Sequence, residues 1–338
     1  MKRLMLGFIL GWFLGIGVTQ TAMAASDRVM SDVSRTGAQL LIIDAHGHLN
    51  GDMSAKKLIE LMDQARVSRL VLMPRYYTSC RSGGEGSDEQ ALNYSTRYPG
   101  RFIPFIGGQR SILTNRERWL KPDGVAEDLL AEAEAKLKSG KFYGVGEFIL
   151  RHYAYDREDG QGGSDHDIPI DTILMRRFMD LAAKYRVPLV IHSEGEPEVV
   201  AGMESLLIYN PKAKVIWAHS CGRSSAEIIH KMLSRHSNLY CDLGAMLNAP
   251  FAGYGRYWPK RTQWMFLIED GTGHLYPDMK ALYEELPDRF LIGTDCAHTS
   301  ALKNYAKRIE RFRKLLSDLK PETARRLAFQ NAEELFSK

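Results

Sequence analysis

From residue 40 onward, short apolar runs and longer amphipathic stretches take turns with little interruption. Leu40-Leu41-Ile42-Ile43 is apolar throughout, the pattern of a strand buried on both faces. Residues 54–67 follow with Leu58, Leu61, Met62 and Ala65 at helical spacing. The same alternation predicts strands at 70–73, 102–106, 143–149, 188–191, 215–218, 239–243 and 290–293. The proline in 102–106 weakens that strand. Helices are expected at 88–98, 125–138, 171–185, 198–208, 225–235 and 276–285, with two closing helices at 300–317 and 321–337. Residues 151–169 read as a Gly- and Asp-rich loop, and 244–275 as a long aromatic connection. Strands alternating with helices imply parallel βαβ units. At about eight such units the closed solution is an α/β fold of the (β/α)₈ type. An open doubly wound sheet is the alternative, but no Gly-rich turn follows the first strand. No internal repeat or linker divides 40–338, so it reads as one barrel domain.

The start of the chain has a different pattern. Met1-Lys2-Arg3 is basic, Leu4 to Val18 is apolar with glycines, and Ala22-Met23-Ala24 is a small-x-small site. An apolar run of about 15 residues suits a signal-peptide core, whereas a spanning helix needs about 20. Residues 1–24 are therefore expected to be a signal peptide cleaved after Ala24, and 25–39 a polar lead-in. An uncleaved anchor is the alternative. The expected location is periplasmic or secreted, with no stable membrane anchor after cleavage.

Charge narrows the partners. The whole chain carries a formal net charge of +4, and loss of Lys2 and Arg3 with the leader brings it to +2. No basic run is long enough to follow a phosphate backbone, so nucleic acid is not expected as a partner. Four cysteines, Cys80, Cys221, Cys241 and Cys296, form no CxxC pair. An exported compartment permits a disulfide, and its pairing stays open.

Metal-type ligands recur at one structural position. Asp44-Ala45-His46-Gly47-His48 closes the first strand. Residues i and i+2 of a strand point the same way, so His46 and His48 can aim two imidazoles at one point. Gly47 is expected to let the backbone come close between them. His192, His219 and Asp295 each end a later apolar run. In a parallel barrel those ends share one face, where active sites sit. Two exposed loop histidines, or core histidines satisfied by hydrogen bonds, would not show this regularity. Glu147 lies within an apolar strand, where a carboxylate costs several kcal/mol unless paired or metal-bound. It is either a metal ligand or half of an ion pair with Arg75 or Arg151.

This constellation resembles the amidohydrolase superfamily. The run from Pro287-Asp288-Arg289-Phe290 to Gly293-Thr294-Asp295 and the closing Asn331-Ala332-Glu333-Glu334-Leu335-Phe336 resemble the branch with lactonases and aromatic-acid decarboxylases. The resemblance implies that His46, His48 and Asp295 bind one metal. His192 and His219 would bind a second, or His219 would hydrogen-bond the reacting oxygen of a one-metal site. Glu147 stands where many two-metal members carry a carboxylated lysine or a glutamate, and Asp295 would be the general base. Zinc is the default for such donors, with manganese or iron as alternatives. A metal of this kind lowers the pKa of bound water to about 7, and Asp295 takes the proton as the hydroxide attacks a carbonyl.

Hydrolysis of a lactone, ester or amide is the first expectation. Decarboxylation of an aromatic or enolic acid is second, because decarboxylating relatives usually lack a strand-four carboxylate ligand. A TatD-like nuclease is third, and a metal-dependent binding protein without turnover is the alternative outside enzymes. Arg75, Arg151, Arg223, Trp258 and His298 are the candidate substrate-binding residues on the rim. Arginines fork onto carboxylates and aromatics stack on rings, which favours a small anionic or cyclic substrate. A solvated basic loop over the barrel mouth would look the same in sequence. Exposed aromatics in the loop after strand seven suit a lid or a homo-oligomer interface.

Overall fold

A computed structural model describes residues 40–77, 83–156, 163–252 and 265–337. The expected leader and lead-in (1–39), Cys80, Trp258 and the neighbouring loop residues 253–264 lie outside the described residues. Eight parallel strands carry the architecture: β1 Ile42–Asp44, β2 Val67–Tyr76, β3 Phe102–Pro104, β4 Val145–His152, β5 Leu189–Ser193, β6 Val215–Trp217, β7 Leu239–Asp242 and β8 Phe290–Leu291. Each is followed by a helix: α1 Ala55–Ala65, α2 Asp88–Arg97, α3 Gly124–Lys138, α4 Ile173–Tyr185, α5 Pro197–Tyr209, α6 Ala226–Arg235, α7 Pro277–Glu285 and α8 Tyr305–Leu316.

Ladders join β1 to β2, β2 to β3, β4 to β5, β5 to β6, β6 to β7 and β7 to β8, all parallel. Pro104 has no N–H, so β3 stops there. Its continuation Ile106–Gly107 resumes pairing, now with β4. The ring closes where Ala45 N donates to Ile292 O at 2.8 Å and Gly47 bridges Cys296. The fold is a (β/α)₈ barrel.

Capping explains where the helices begin. Ser54, Ser87, Asp123, Thr172 and Ser225 each accept a hydrogen bond from the backbone N–H three residues on. Proline opens α5 and α7 at the positions where a missing N–H is harmless. Arg66 and Arg186 end α1 and α4 in the left-handed conformation. Among the described residues no helix is long and apolar enough to cross a membrane.

Two apolar layers result. The outer one packs helices against the barrel, with Met62, Phe178, Met203 and Phe312 at its centre. The inner one fills the barrel with Ile43, Val71, Ile103, Phe105, Val190, Ile216 and Leu291. Leu335 and Phe336 join this inner layer beside Tyr143 and Tyr240, at the starts of β4 and β7. Phe336 meets Phe105 edge to face, with ring centroids 5.6 Å apart. The C-terminal segment thereby plugs the N-terminal end of the barrel, and the polar residues collect at the other end.

Candidate metal centre

Four histidines and two carboxylates converge at the C-terminal ends of the strands. His46 and His48 flank Gly47 just beyond β1, and their Nε2 atoms lie 3.2 Å apart. The missing side chain of Gly47 makes room for β2 rather than for the imidazoles. A Cβ there would stand 2.7 Å from the Val71 carbonyl oxygen. Glu147 in β4 touches all four rings. Its Oε1 lies 3.7 Å from His46 Nε2, 3.2 Å from His192 Nδ1 and 3.3 Å from His219 Nε2. Its Oε2 lies 3.5 Å from His48 Nε2. Asp295 Oδ1 lies 3.1 Å from His48 Nε2 and 3.7 Å from His46 Nε2. His219 Nε2 and His192 Nδ1 are 2.7 Å apart.

The outer nitrogens of three of the rings fix how they face. His46 Nδ1 donates to Asp242 Oδ2 at 2.9 Å, His219 Nδ1 to the Gly244 carbonyl at 2.9 Å, and His192 Nε2 to Glu194 Oε1 at 3.2 Å. A ring with its proton on the outer nitrogen presents a lone pair on the inner one. Two such lone pairs face each other between His192 and His219. They repel unless a cation, a proton or a metal, lies with them. Ligand atoms of His46, His48 and Glu147, and those of Glu147, His192 and His219, fall within 4.8 Å of one another in two groups. A third such group contains Asp242. Asp242 is nevertheless committed elsewhere: Oδ1 accepts from Gly244 N at 2.9 Å and His219 N at 3.3 Å, while Oδ2 accepts from His46. This donor set fits one or two divalent metals, with Asp242, Glu194 and the Gly244 carbonyl as the outer partners that aim the ligands.

Protonation follows the same geometry. Burial alone would pull the basicity of His192 down, but hydrogen bonds to Glu147 and Glu194 carry its pKa up to about 9. His46 is likewise held well above its ordinary value, burial being outweighed by the charges of Asp242 and Glu147. His219 is pushed down, by burial first and then by the nearby charges of His192 and Arg223. Burial would raise Glu147 and Asp295, yet the surrounding imidazoles hold both well below the usual carboxylate range. The carboxylates around them thus make His46 and His192 the more basic rings of the cluster.

His219 is not the last residue of a strand, as the sequence suggested. β6 stops at Trp217, and His219, Ser220, Cys221 and Gly222 form a left-handed turn with φ between 51 and 71°. Each non-glycine residue in that conformation costs about 1–2 kcal/mol. A disulfide from Cys221 to Cys241 in β7 anchors the turn. So do hydrogen bonds from Gly195 N to Gly222 O at 2.7 Å and from Ser224 Oγ to Cys221 O at 2.8 Å. Gly222 is obligatory, since a Cβ would stand 2.4 Å from the Ser193 carbonyl oxygen. Asp295 also adopts the left-handed region, at φ 47°. The fourth cysteine among those expected, Cys296, is buried and free.

The rim candidates separate. Glu147 pairs with neither arginine directly. Arg151 is taken up by Glu196, Glu198 and Asp167 at 2.7–2.8 Å. Arg223 is fully buried, with Nη1 2.6 Å from Glu194 Oε2 and Nη2 donating to Tyr155 Oη at 3.0 Å. It holds Glu194 well below the usual carboxylate range, against burial. Arg75 Nη1 lies 3.1 Å from His298 Nδ1, and its Nε donates to Gln109 Oε1. Gln109 Nε2 in turn donates to Glu147 Oε2 at 2.6 Å. Trp258 lies outside the described residues. Sequence reasoning missed Asp242, Glu194 and Gln109. Asp242 ends β7 at the position that singled out the other ligands, and Glu194 lies two residues past His192, so strand-end carboxylates were the usable signal.

The sequence model of the family described as amidohydrolase matches residues 43–338. No curated protein matches the chain. Among solved structures, an uncharacterised TIM-barrel protein from Bordetella bronchiseptica is 18% identical with a TM-score of 0.57, over 88% of this chain and 98% of its own. A protein described as a probable 2-pyrone-4,6-dicarboxylic acid hydrolase from Acinetobacter baumannii is 15% identical with a TM-score of 0.52, over 88% and 100%. A dihydroxybenzoic acid decarboxylase from a Polaromonas species, with manganese and an inhibitor, is 14% identical with a TM-score of 0.51, over 88% and 96%. At such identities these structures share the fold. The family match spans nearly the whole barrel and includes every ligand-type residue of the cluster: the chain belongs to the amidohydrolase family.

Proposed function

We propose that the protein is a metal-dependent hydrolase that opens a lactone, ester or amide of a small anionic or cyclic substrate. One observation carries the reading. Glu147 touches His46 and His48 on one side and His192 and His219 on the other, so one carboxylate would serve both pairs of rings. A decarboxylase using one metal has no need of it.

His46, His48 and Asp295 would hold one metal and His192 and His219 the other, with Glu147 between. Zinc is the favoured occupant, and manganese or iron suits the same donors. Such a metal supplies an electrophile for a carbonyl oxygen and acidifies a water molecule. The residues do the rest. Asp295, poised on its strained turn, accepts the proton of the attacking water at a carboxylate oxygen and returns it to the leaving alkoxide or amine. His219 keeps its Nδ1 proton on the Gly244 carbonyl, so its Nε2 would present a lone pair to the metal it shares with His192. Asp242 and Glu194 keep the rings of His46 and His192 from rotating.

The chain is read as exported. Supporting this, its disulfide joins two buried cysteines, an arrangement that persists in oxidising compartments.

The test is bound metal per chain by elemental analysis, for the mature chain and Glu147→Ala together. Two metals falling to one or none in the variant is the expected result. One metal, unaffected by Glu147→Ala, would make Glu147 a structural carboxylate and put decarboxylation first. A wild type that binds neither zinc nor manganese would sink the reading.

A further inference from the structure

Arg75, Arg110, Arg151 and Arg223 lie on or just beyond the C-terminal ends of the strands, and the last three meet a carboxylate. Arg110 Nη2 lies 3.0 Å from Asp88, Arg151 Nη1 2.8 Å from Glu196, and Arg223 Nη1 2.6 Å from Glu194. Arg75 differs. It is 5% exposed, yet among the described residues it meets no carboxylate and bonds only to hydroxyl, amide, carbonyl and imidazole groups. Its Nε donates to Tyr77 Oη and Gln109 Oε1 at 3.1 Å each, and Nη2 to Tyr77 Oη at 2.6 Å. Its Nη1 donates to the Ala297 carbonyl and to His298 Nδ1, the latter at 3.1 Å, a contact that needs a neutral ring. The Tyr77 ring lies against the guanidinium, 4.6 Å from centroid to Cζ, and fixes its plane. One N–H of Nη2 has no acceptor among the described residues.

A buried cation surrounded only by dipoles is incompletely compensated, and an arginine fork is shaped for a carboxylate. Its position ties it to the metal centre from two sides. Gln109 passes from Arg75 Nε to Glu147, whose Oε2 accepts from the amide at 2.6 Å. Ala297 and His298 follow the ligand Asp295 by two and three residues. The guanidinium is thus held one side chain away from the reacting centre by both of its neighbours.

We propose that Arg75 is the specificity-determining residue of the pocket, and that the substrate bears a carboxylate which Arg75 receives while the reacting carbonyl lies among the histidines and Asp295. This rests on the hydrolase reading and narrows its substrate class to compounds with a carboxylate a short carbon chain away from the reacting group. Arg151 and Arg223, already neutralised by protein carboxylates, do not share this role.

Diacids probe it without knowledge of the substrate. Binding of succinate, glutarate and adipate to the zinc-loaded chain is measured by calorimetry. Each is compared with the monoacid of equal carbon number: butyrate, valerate or hexanoate. One carboxylate can sit at the metal in either series, and only the diacids offer a second to Arg75. At least one diacid should bind about tenfold or more tightly than its monoacid. Arg75→Gln should abolish that preference without weakening the monoacid, and Arg75→Lys should keep only part of it. Equal affinity of diacids and monoacids in the wild type overturns the proposal whatever the variants do, as does a preference that survives Arg75→Gln. Zinc content, measured on every sample, separates the two readings. Bound zinc without a diacid preference removes the role of Arg75 alone, whereas a chain that binds no zinc removes the hydrolase reading as well.

Discussion

Asp242 receives three hydrogen bonds: from the ring of His46, from the backbone of His219 and from Gly244. It therefore positions His46 and His219, two of the proposed metal ligands, at once. Removing such a partner typically lowers metal affinity 10–100-fold. Asp242→Ala should fall in that range and Asp242→Asn short of it, as read by competition with a chromogenic chelator. Unchanged affinity in both would mean that packing alone orients His46. Arg223 and Glu194 form the second such support, and they are buried together. Breaking a buried pair by removing one partner costs about 3–5 kcal/mol. Arg223→Met should destabilise the zinc-saturated protein by that much in urea, and adding Glu194→Gln should restore part of it. If the single variant is as stable as the wild type, the pair is not the anchor of His192. The ligand types themselves were readable in the sequence, because a parallel barrel sends every strand end to one face. Their partners were not. Whether Glu194 faces His192 or solvent depends on the angle at which β5 meets the following turn, and a strand-end rule contains no such angle.

At the scale of elements, the helices and strands lie within a few residues of where periodicity and capping residues put them. Differences arise where the chain leaves regular geometry. Pro104 splits the third strand into two ladders, and the last helix is interrupted by a wider turn at Arg326–Gln330. The segment Ala218–Arg223 departs most, since nothing in Ala-His-Ser-Cys-Gly-Arg announces a left-handed turn except its glycine. That turn is kept by tertiary partners: the disulfide to β7, and carbonyl contacts from the β5 side. The disulfide closes a loop with a sequence separation of 20. Loss of a link closing a loop of this size costs about 3 kcal/mol in the chain-entropy account. Replacing both Cys221 and Cys241 with serine should lower stability by about that amount. It should also speed zinc loss, because Cys221 lies two residues from His219 and Cys241 adjoins Asp242. Urea unfolding and zinc release to a fluorescent dye check the two effects. A large stability loss with unchanged release would show that the staple serves the barrel and not the centre.

Across the whole molecule, the proposed metal centre would couple proton binding, metal binding and folding. In the metal-free protein the His192 pKa is carried to about 9 by Glu147 and Glu194. The ordinary value is about 6.5. A pKa raised on folding stabilises the fold fully below the unfolded value, and that contribution is lost as pH rises through the folded one. The metal-free barrel should therefore weaken between about pH 6.5 and pH 9. Metal uptake has the opposite sign, because His192 and His46 must surrender protons before their nitrogens can bind. Zinc affinity should rise over the same interval, and stabilisation by a bound ligand grows with the logarithm of its concentration over Kd. The difference in Tm between zinc-loaded and chelator-treated protein should then widen steadily from pH 6.5 to pH 9. Thermal unfolding of both forms at half-unit steps measures it. A constant difference would show that the imidazoles are already deprotonated in the metal-free protein. The protons assigned to the space between His192 and His219 would then have to be placed elsewhere.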